Sequence, residues 1–224
     1  MTLWSERRAR AAVTGGVSTT HLHNLVLAEL DVLGVAGTVL DFGAGRGELA
    51  ARACERSGID RVIAADIAEF KRAPSNAEWL VCDLNEPLPL GDDSIDAVIA
   101  VGVLEYLENP FAIAREWYRL VRSSGHVIGT IPNAESLRSL MSVFARGRFA
   151  ALDNPRHTEA TVALLRSDLS RAFVRAGFQQ PRFAASGRGG IPRHTSTTWQ
   201  DVSHGRLRGV RWSDDLLFSA RKCG

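Results

Sequence analysis

Apolar and polar positions in this chain switch between a helical and a strand period, and the switches mark its elements. Over 18–33, Leu22, Leu25, Val26, Leu30 and Leu33 recur at helical spacing, with Ser18, Thr19 or Thr20 as cap and Gly34 as stop. Thr38–Phe42 is a short β-branched and apolar run, read as a buried strand. A helix follows over Glu48–Ser57, closed by Gly58. Further strands are predicted at Arg61–Ala65, Glu78–Val81 and Asp96–Val101, the last preceded by a loop, Asn85–Asp93, that holds Pro87, Pro89 and Gly91. Asn109-Pro110 reads as an N-cap with proline at the first helical position, opening a helix to Val121. Gly125 breaks that pattern, and His126–Ile131 is a fifth strand ended by Pro132. Residues 134–145 are weakly helical and 146–160 loop-like. Ser167–Ala176 is a helix capped by Ser167 and ended by Gly177, and Phe178–Ala185 and Leu216–Arg221 are the last strands.

Strands alternating with helices predict an α/β fold: a doubly wound, mainly parallel seven-stranded sheet with helices on both faces. No helical pattern separates the final two strands, so the last strand is expected to run antiparallel. The 224 residues suit a single domain, 1–224. Within it, 1–34 is expected to form an N-terminal helical lid. Residues 186–211, rich in Gly, Arg, Ser and Thr, read as an insertion before the last strand.

Composition narrows the class without naming a function. An apolar fraction of 45% and a charged fraction of 23% are ordinary for a water-soluble globule. The net charge of +2 is too small to argue for nucleic acid. All but two of the 27 lysine-plus-arginine residues are arginine, a bias read mainly as genome composition, of the kind a GC-rich bacterium shows. Cys54, Cys82 and Cys223 match no metal spacing and read as free thiols of a reducing compartment. The start of the chain lacks an apolar signal-peptide core, and no stretch is apolar enough for a membrane span. A cytoplasmic protein is expected.

The chemistry concentrates at strand ends, where open α/β sheets bind ligands. Val39-Leu40-Asp41-Phe42-Gly43-Ala44-Gly45-Arg46-Gly47-Glu48 is a strand, a tight turn and a helix start, and its glycines let backbone N–H groups approach a ligand closely. A dinucleotide fingerprint would need glycine where Glu48 stands. The loop therefore suits a ligand with an α-amino acid end and a ribose better than a pyrophosphate. Asp66 ends the second strand at about the 20-residue spacing at which a carboxylate takes ribose hydroxyls. Asp83 ends the third strand, placed to accept from an exocyclic amine, and Val101-Gly102 ends the fourth.

Leu40-Asp41-Phe42-Gly43-Ala44-Gly45-Arg46-Gly47, Ala64-Ala65-Asp66-Ile67, Cys82-Asp83-Leu84 and Asp96-Ala97-Val98-Ile99-Ala100 together resemble the class I S-adenosylmethionine-dependent methyltransferases, in particular the small-molecule branch called type 11. The resemblance covers roughly 35–185 and implies a Rossmann-like methyltransferase fold. It implies S-adenosyl-L-methionine as cofactor and S-adenosyl-L-homocysteine as product. Asp41 would order the methionine end, partly through water. Asp66 would hold the ribose with Ile67 against adenine, and Asp83 and Leu84 would meet the adenine edge. Gly43, Ala44, Gly45, Cys82 and Val101 complete the expected cofactor set.

Methyl transfer needs alignment and exclusion of water more than a fixed triad. Candidates for the chemistry are Glu105 and Tyr106 after the fourth strand and His157 in Asn154-Pro155-Arg156-His157-Thr158. Relatives often carry histidine where Tyr106 stands; Glu105 also reads as a structural cap and His157 as a polar loop residue. Arginines of the insertion, among them Arg206 and Arg208, with Trp199, suit an anionic or sugar-containing acceptor. The same segment also reads as a solvated loop sharing the chain-wide arginine bias. The expectation is methylation of a small molecule, most readily at oxygen, with no metal, no nucleic acid and no membrane span; a homodimer is compatible with the chain. A nicotinamide-dependent oxidoreductase and a cofactor-binding, non-catalytic partner subunit are the competing readings.

Overall fold

The computed structural model describes residues 3–14, 16–68, 76–150, 160, 162–192 and 194–224. Two helices lead, α1 (Leu3–Thr14) and α2 (Thr20–Val32). Then come β1 (Gly37–Phe42), α3 (Glu48–Cys54), β2 (Ile59–Asp66), β3 (Glu78–Val81) and β4 (Ile95–Val101). The second half holds α4 (Pro110–Leu120), β5 (Val121–Pro132), α5 (Leu137–Arg146), α6 (Arg166–Ala176) and β6 (Arg182–Ala185). A hairpin of β7 (Gly190–Ile191) and β8 (His194–Thr198), a single turn α7 (Trp199–Val202) and β9 (Asp215–Arg221) complete it. Among the described residues no helix is long and apolar enough to cross a membrane.

Seven strands form one sheet in the order β3-β2-β1-β4-β5-β9-β6. β1 pairs in parallel with both β2 and β4, so the strand order reverses there, and a ligand crevice opens where the two halves diverge. β9 lies antiparallel between β5 and β6, as the missing helical pattern led one to expect. The sheet is buried on both faces. One side packs α2 and α3 through Val26, Leu27, Leu30, Leu49 and Ala53. The other packs α4 and α6 around Trp117, which meets Phe42 at 5.2 Å and Phe173 at 5.9 Å between ring centroids.

Local chemistry sets the boundaries, and several differ from expectation. Thr19 caps α2 and Asn109 caps α4, its side chain accepting from Phe111 N and Ala112 N at 3.1 Å. α3 stops at Cys54 rather than Ser57, because Arg56 N turns back to Ala53 O in a tightened last turn. β5 starts at Val121, directly from the end of α4, and runs through Gly125 instead of starting after it. α6 is capped at Leu165, not Ser167; Asp168 reaches back to accept from the Leu165 N–H at 3.1 Å. Phe178 forms only an isolated bridge to Lys222, and β6 begins at Arg182. Segment 186–211 carries its own hairpin and helical turn. Gln200 Nε2 ties that turn to the Leu207 and Trp212 carbonyls, both at 2.9 Å.

Candidate active site

The carboxyl ends of β1, β2, β3 and β4 border a cavity of about 400 Å³. Its floor is the turn after β1. Gly43 N and Ala44 N both donate to Ala65 O, at 2.9 and 3.0 Å, which folds the turn against the end of β2. Gly43 has φ +87°, and a Cβ there would strike the Val103 side chain. Gly45 has φ +54°, and a Cβ would strike the Gly16 carbonyl. The segment linking α1 to α2 therefore crosses directly over the turn, and Arg46 N donates to Gly16 O at 3.2 Å.

Gly43, Ala44, Gly45, Asp66, Ile67 and Asp83 share this cavity, and Leu84 and Val101 line it too. Asp66 Oδ2 accepts from Gly45 N at 2.8 Å and Oδ1 from Ala68 N at 3.1 Å. Burial raises the Asp66 carboxyl pKa, and those backbone donors offset only part of the rise. Asp83 behaves oppositely. Burial pushes it up, but the Arg7 guanidinium and the backbone and side-chain amides of Asn85 outweigh that and hold it below the ordinary value.

Two cofactor candidates lie outside the main cavity. Asp41 sits behind the turn, 1% exposed, lining a side pocket of about 20 Å³ with His23, Ser18 and Glu48. That is room for one water. Its Oδ2 has no hydrogen-bond partner among the described residues, and burial, then repulsion from Asp66, pushes its pKa up to about 7. Cys82 is half-buried and packs toward the α4 side. Burial and the flanking Asp66 and Asp83 push its thiol up to about 11, and it packs against the core on that side.

Glu105 and Tyr106 line the cavity beyond Gly102. Glu105 is 3% exposed; burial, with repulsion from Asp215, carries its carboxyl to about 8. Burial, then Glu105, pushes the Tyr106 phenol up from its ordinary value. His157 lies outside the described residues. The candidates in the insertion lie away from the cavity. Arg206 and Arg208 are exposed and do not line the cavity, and Arg208 Nε donates to Gly205 O at 2.6 Å. Trp199 packs on Trp212 at 5.1 Å between ring centroids instead. The segment folds upon itself, and its Arg188, Arg206, Arg208 and Arg211 are exposed.

The cavity also holds groups that reading the sequence missed. Arg7 of α1 reaches Asp83 at 2.6 Å, Glu108 at 2.7 Å and Glu86 at 3.3 Å. Asp83 keeps both oxygens engaged, with Asn85 on Oδ1 and Arg7 on Oδ2. Arg138, Asp214, Asp215 and Thr130 line the opposite end. One signal for the aspartates was present. An antiparallel last strand puts its first residues, not its last, at the ligand-binding edge, and β9 opens with Asp215.

These features fit a nucleoside with an amino-acid tail. The glycine turn excludes side chains where a ligand must come close, Asp66 and Asp83 stand on adjacent strand ends, and Asp41 offers an unused buried oxygen beside a water-sized space. A family model described as a methyltransferase domain (Methyltransf_11) matches residues 40–129. The chain is 33% identical over 112 residues to a malonyl-[acyl-carrier protein] O-methyltransferase of Laribacter hongkongensis, covering 50% of this chain and 34% of that protein. It is 31% identical over 162 residues to the probable S-adenosylmethionine-dependent methyltransferase Rv3030 of Mycobacterium tuberculosis, covering 70% of this chain and 54% of that one. The chain thus spans between a third and about half of the length of these relatives. The fold matches a SAM-dependent methyltransferase from Archaeoglobus fulgidus with a TM-score of 0.63 at 21% identity, covering 89% and 94% of the two chains. It also matches a chain in the complex of the Haloferax volcanii Trm112 methyltransferase activator, with a TM-score of 0.67 at 20% identity and 98% of each chain covered.

Proposed function

We propose that the chain is a class I S-adenosylmethionine-dependent methyltransferase of the small-molecule type, and that it transfers a methyl group to a small-molecule acceptor bound in the cavity of about 400 Å³. The observation that carries this reading is the meeting of the glycine turn, Asp66 and Asp83 at one edge of the sheet. When bound, the cofactor supplies an electrophilic methyl group on a sulfonium.

The residues would divide the work as follows. Gly43 and Gly45 keep the turn free of side chains. Asp66, already bonded to Gly45 N, would take the ribose hydroxyls, and Ile67 and Leu84 would flank the base. Asp83 would accept from the adenine amine. Its four lone-pair sites already take three donors, two from Asn85 and one from Arg7, which leaves one. Asp41 would reach the amino-acid end through the water-sized side pocket. The backbone at 16–19 and α1 would shut out water, which an in-line displacement at carbon requires. Glu105 at about 8 and Asp215 at about 7 hold pKa values in the range useful for accepting an acceptor's proton at neutral pH.

The finer expectation, an anionic or sugar-containing acceptor methylated at oxygen, has a single guanidinium to rest on at this end of the cavity, Arg138, and Asp214 already holds it at 2.9 Å. Isothermal titration calorimetry tests the central reading. Adenosylhomocysteine should bind in the micromolar range, NADH should not, and Asp66→Asn should weaken adenosylhomocysteine at least tenfold. Absence of heat with both adenosylmethionine and adenosylhomocysteine would sink it.

A further inference from the structure

Two histidines near the start of α2 make different contacts. His21 reaches the segment before β7, its Nε2 lying 2.7 Å from the Ser186 carbonyl oxygen. His23 is 4% exposed, and its Nε2 hydrogen-bonds the Ser18 hydroxyl. Ser18 belongs to the segment linking α1 to α2. That segment also rests on the glycine turn, where Gly16 O accepts from Arg46 N at 3.2 Å. The link is therefore pinned twice, by the turn through Gly16 and by His23 through Ser18.

His23, Ser18 and Asp41 all line the water-sized pocket of about 20 Å³ behind the turn. So small a space brings its lining side chains close to one another. Gly16, Ser18, Gly43, Ala44 and Val101 line both this pocket and the main cavity, so the two spaces adjoin at the glycine turn and the link. Beside that junction the buried Asp41 Oδ2 has no hydrogen-bond partner among the described residues. Burial, then Arg52, push the His23 pKa down, with Glu48 opposing them, so the ring is neutral at pH 7 and adds no positive charge to the pocket. An S-adenosyl ligand ends in an α-ammonium group with three donors, and a free carboxylate oxygen is the acceptor it needs.

We propose that His23 is a positioning residue for the amino-acid tail of the cofactor: by holding Ser18 it fixes the link across the glycine turn and keeps the Asp41 pocket closed around the tail's ammonium and one bridging water. His23 acts through Ser18 and meets no reacting atom. Its effect is electrostatic in origin. An ammonium–carboxylate pair is strong when shut away from solvent and weak when the link lifts and lets solvent in. The inference rests on the methyltransferase reading, which places the nucleoside in the main cavity.

The test is calorimetry on the whole chain with two ligands that share a nucleoside: adenosylhomocysteine, and methylthioadenosine, in which a methyl group replaces the amino-acid tail on sulfur. The parent should bind adenosylhomocysteine about tenfold or more tightly than methylthioadenosine. His23→Leu should remove most of that preference, with adenosylhomocysteine weakened about tenfold and methylthioadenosine within about twofold of the parent. Ser18→Ala should do the same, and the double variant should be no worse than either single one, because both act through one contact. His23→Gln, whose amide can stand in for Nε2 beside Ser18, should stay within about threefold of the parent. His21→Ala, which breaks the contact with Ser186 and leaves the pocket lining intact, should keep the preference. Retained methylthioadenosine uptake shows that a variant is folded; should His23→Leu fail to fold, Ser18→Ala carries the same comparison. Equal weakening of both ligands, an unchanged preference, or the same loss in His21→Ala would overturn the proposal. A parent that binds both ligands equally would overturn it too, while leaving the methyltransferase reading in place. A parent that binds neither would overturn that reading first, and this inference with it.

Discussion

Replacing Arg7 by methionine should release α1 from the body of the protein while leaving the sheet intact. Arg7 is the one described side chain of α1 with ion pairs to the loops after β3 and β4, and its side chain is 10% exposed against 8% for Asp83. The Asp83 bond is charge-assisted and shielded from solvent, so its loss costs about 1.5–3 kcal/mol. Glu108 and Glu86 are 49% and 64% exposed, and their pairs add about 1 kcal/mol at most. The total is about 2–4 kcal/mol, held by a single helix at the periphery, and so it should appear as local opening rather than global unfolding. Amide hydrogen exchange measures this directly. At about 1.4 kcal/mol per factor of ten, protection in α1 should fall roughly 30- to 700-fold, while β1 and β4 keep theirs. A double-mutant cycle with Asp83→Asn should assign most of the loss to that one pair. Protection in α1 that stays within threefold of the parent would refute the reasoning, since the helix would then be held by something other than its guanidinium.

Gly43→Ala forces a Cβ against Val103 at φ +87°, so adenosylhomocysteine should bind at least tenfold more weakly in calorimetry, with the urea midpoint shifted less than in core variants. Trp117→Ala empties the centre of the aromatic cluster with Phe42 and Phe173 and should cost about 3–5 kcal/mol by urea denaturation. Lys222→Met removes the ammonium that joins the Tyr118 and Val121 carbonyls to Asp93; it should cost about 1–3 kcal/mol, seen as a Tm lowered by about 2–4 °C per kcal/mol. Asp41 at about 7, Asp215 at about 7 and Glu105 at about 8 have folded-state values above their ordinary ones, so the folded protein holds more protons than the unfolded chain. Its stability should fall from pH 7 to pH 8.5, and Glu105→Gln should flatten that slope. His23 and His126, pushed down by burial, oppose the trend only below about pH 6.5 and leave this window clean.

The half of the candidate site nearest the first four strands was legible in the sequence because each candidate residue sits at the end of a short, strongly patterned strand. Asp66 and Asp83 follow apolar runs directly, and Gly43 and Gly45 stand where a tight turn needs them. The far half was not legible, because its wall joins Glu105 to Asp215 across more than a hundred residues and no local period reports that distance. Arg7 was hidden for a related reason: α1 has no clear apolar stripe, and an ion pair docks it. The density of arginine in 186–211 reads as a contact surface; in the structure Arg206 and Arg208 stand exposed outside the cavity, and Gln200 and the Trp199–Trp212 pair close the segment on itself. Boundaries slipped where side chains act at a distance in sequence, as when Asp168 moves the cap of α6 back to Leu165.

The place of β9 governs how the molecule is put together. β6 is synthesised before β9 yet touches the sheet only through it, so β6 has no seat until β9 arrives. Until then β5 presents a bare hydrogen-bonding edge, the condition under which nascent chains stick to one another. The same arriving strand brings Asp214 and Asp215 to the cavity. A chain stalled before that step would hold the glycine turn, Asp66 and Asp83 in place beside an unbuilt far end of the cavity, with β5 open to pairing with another chain.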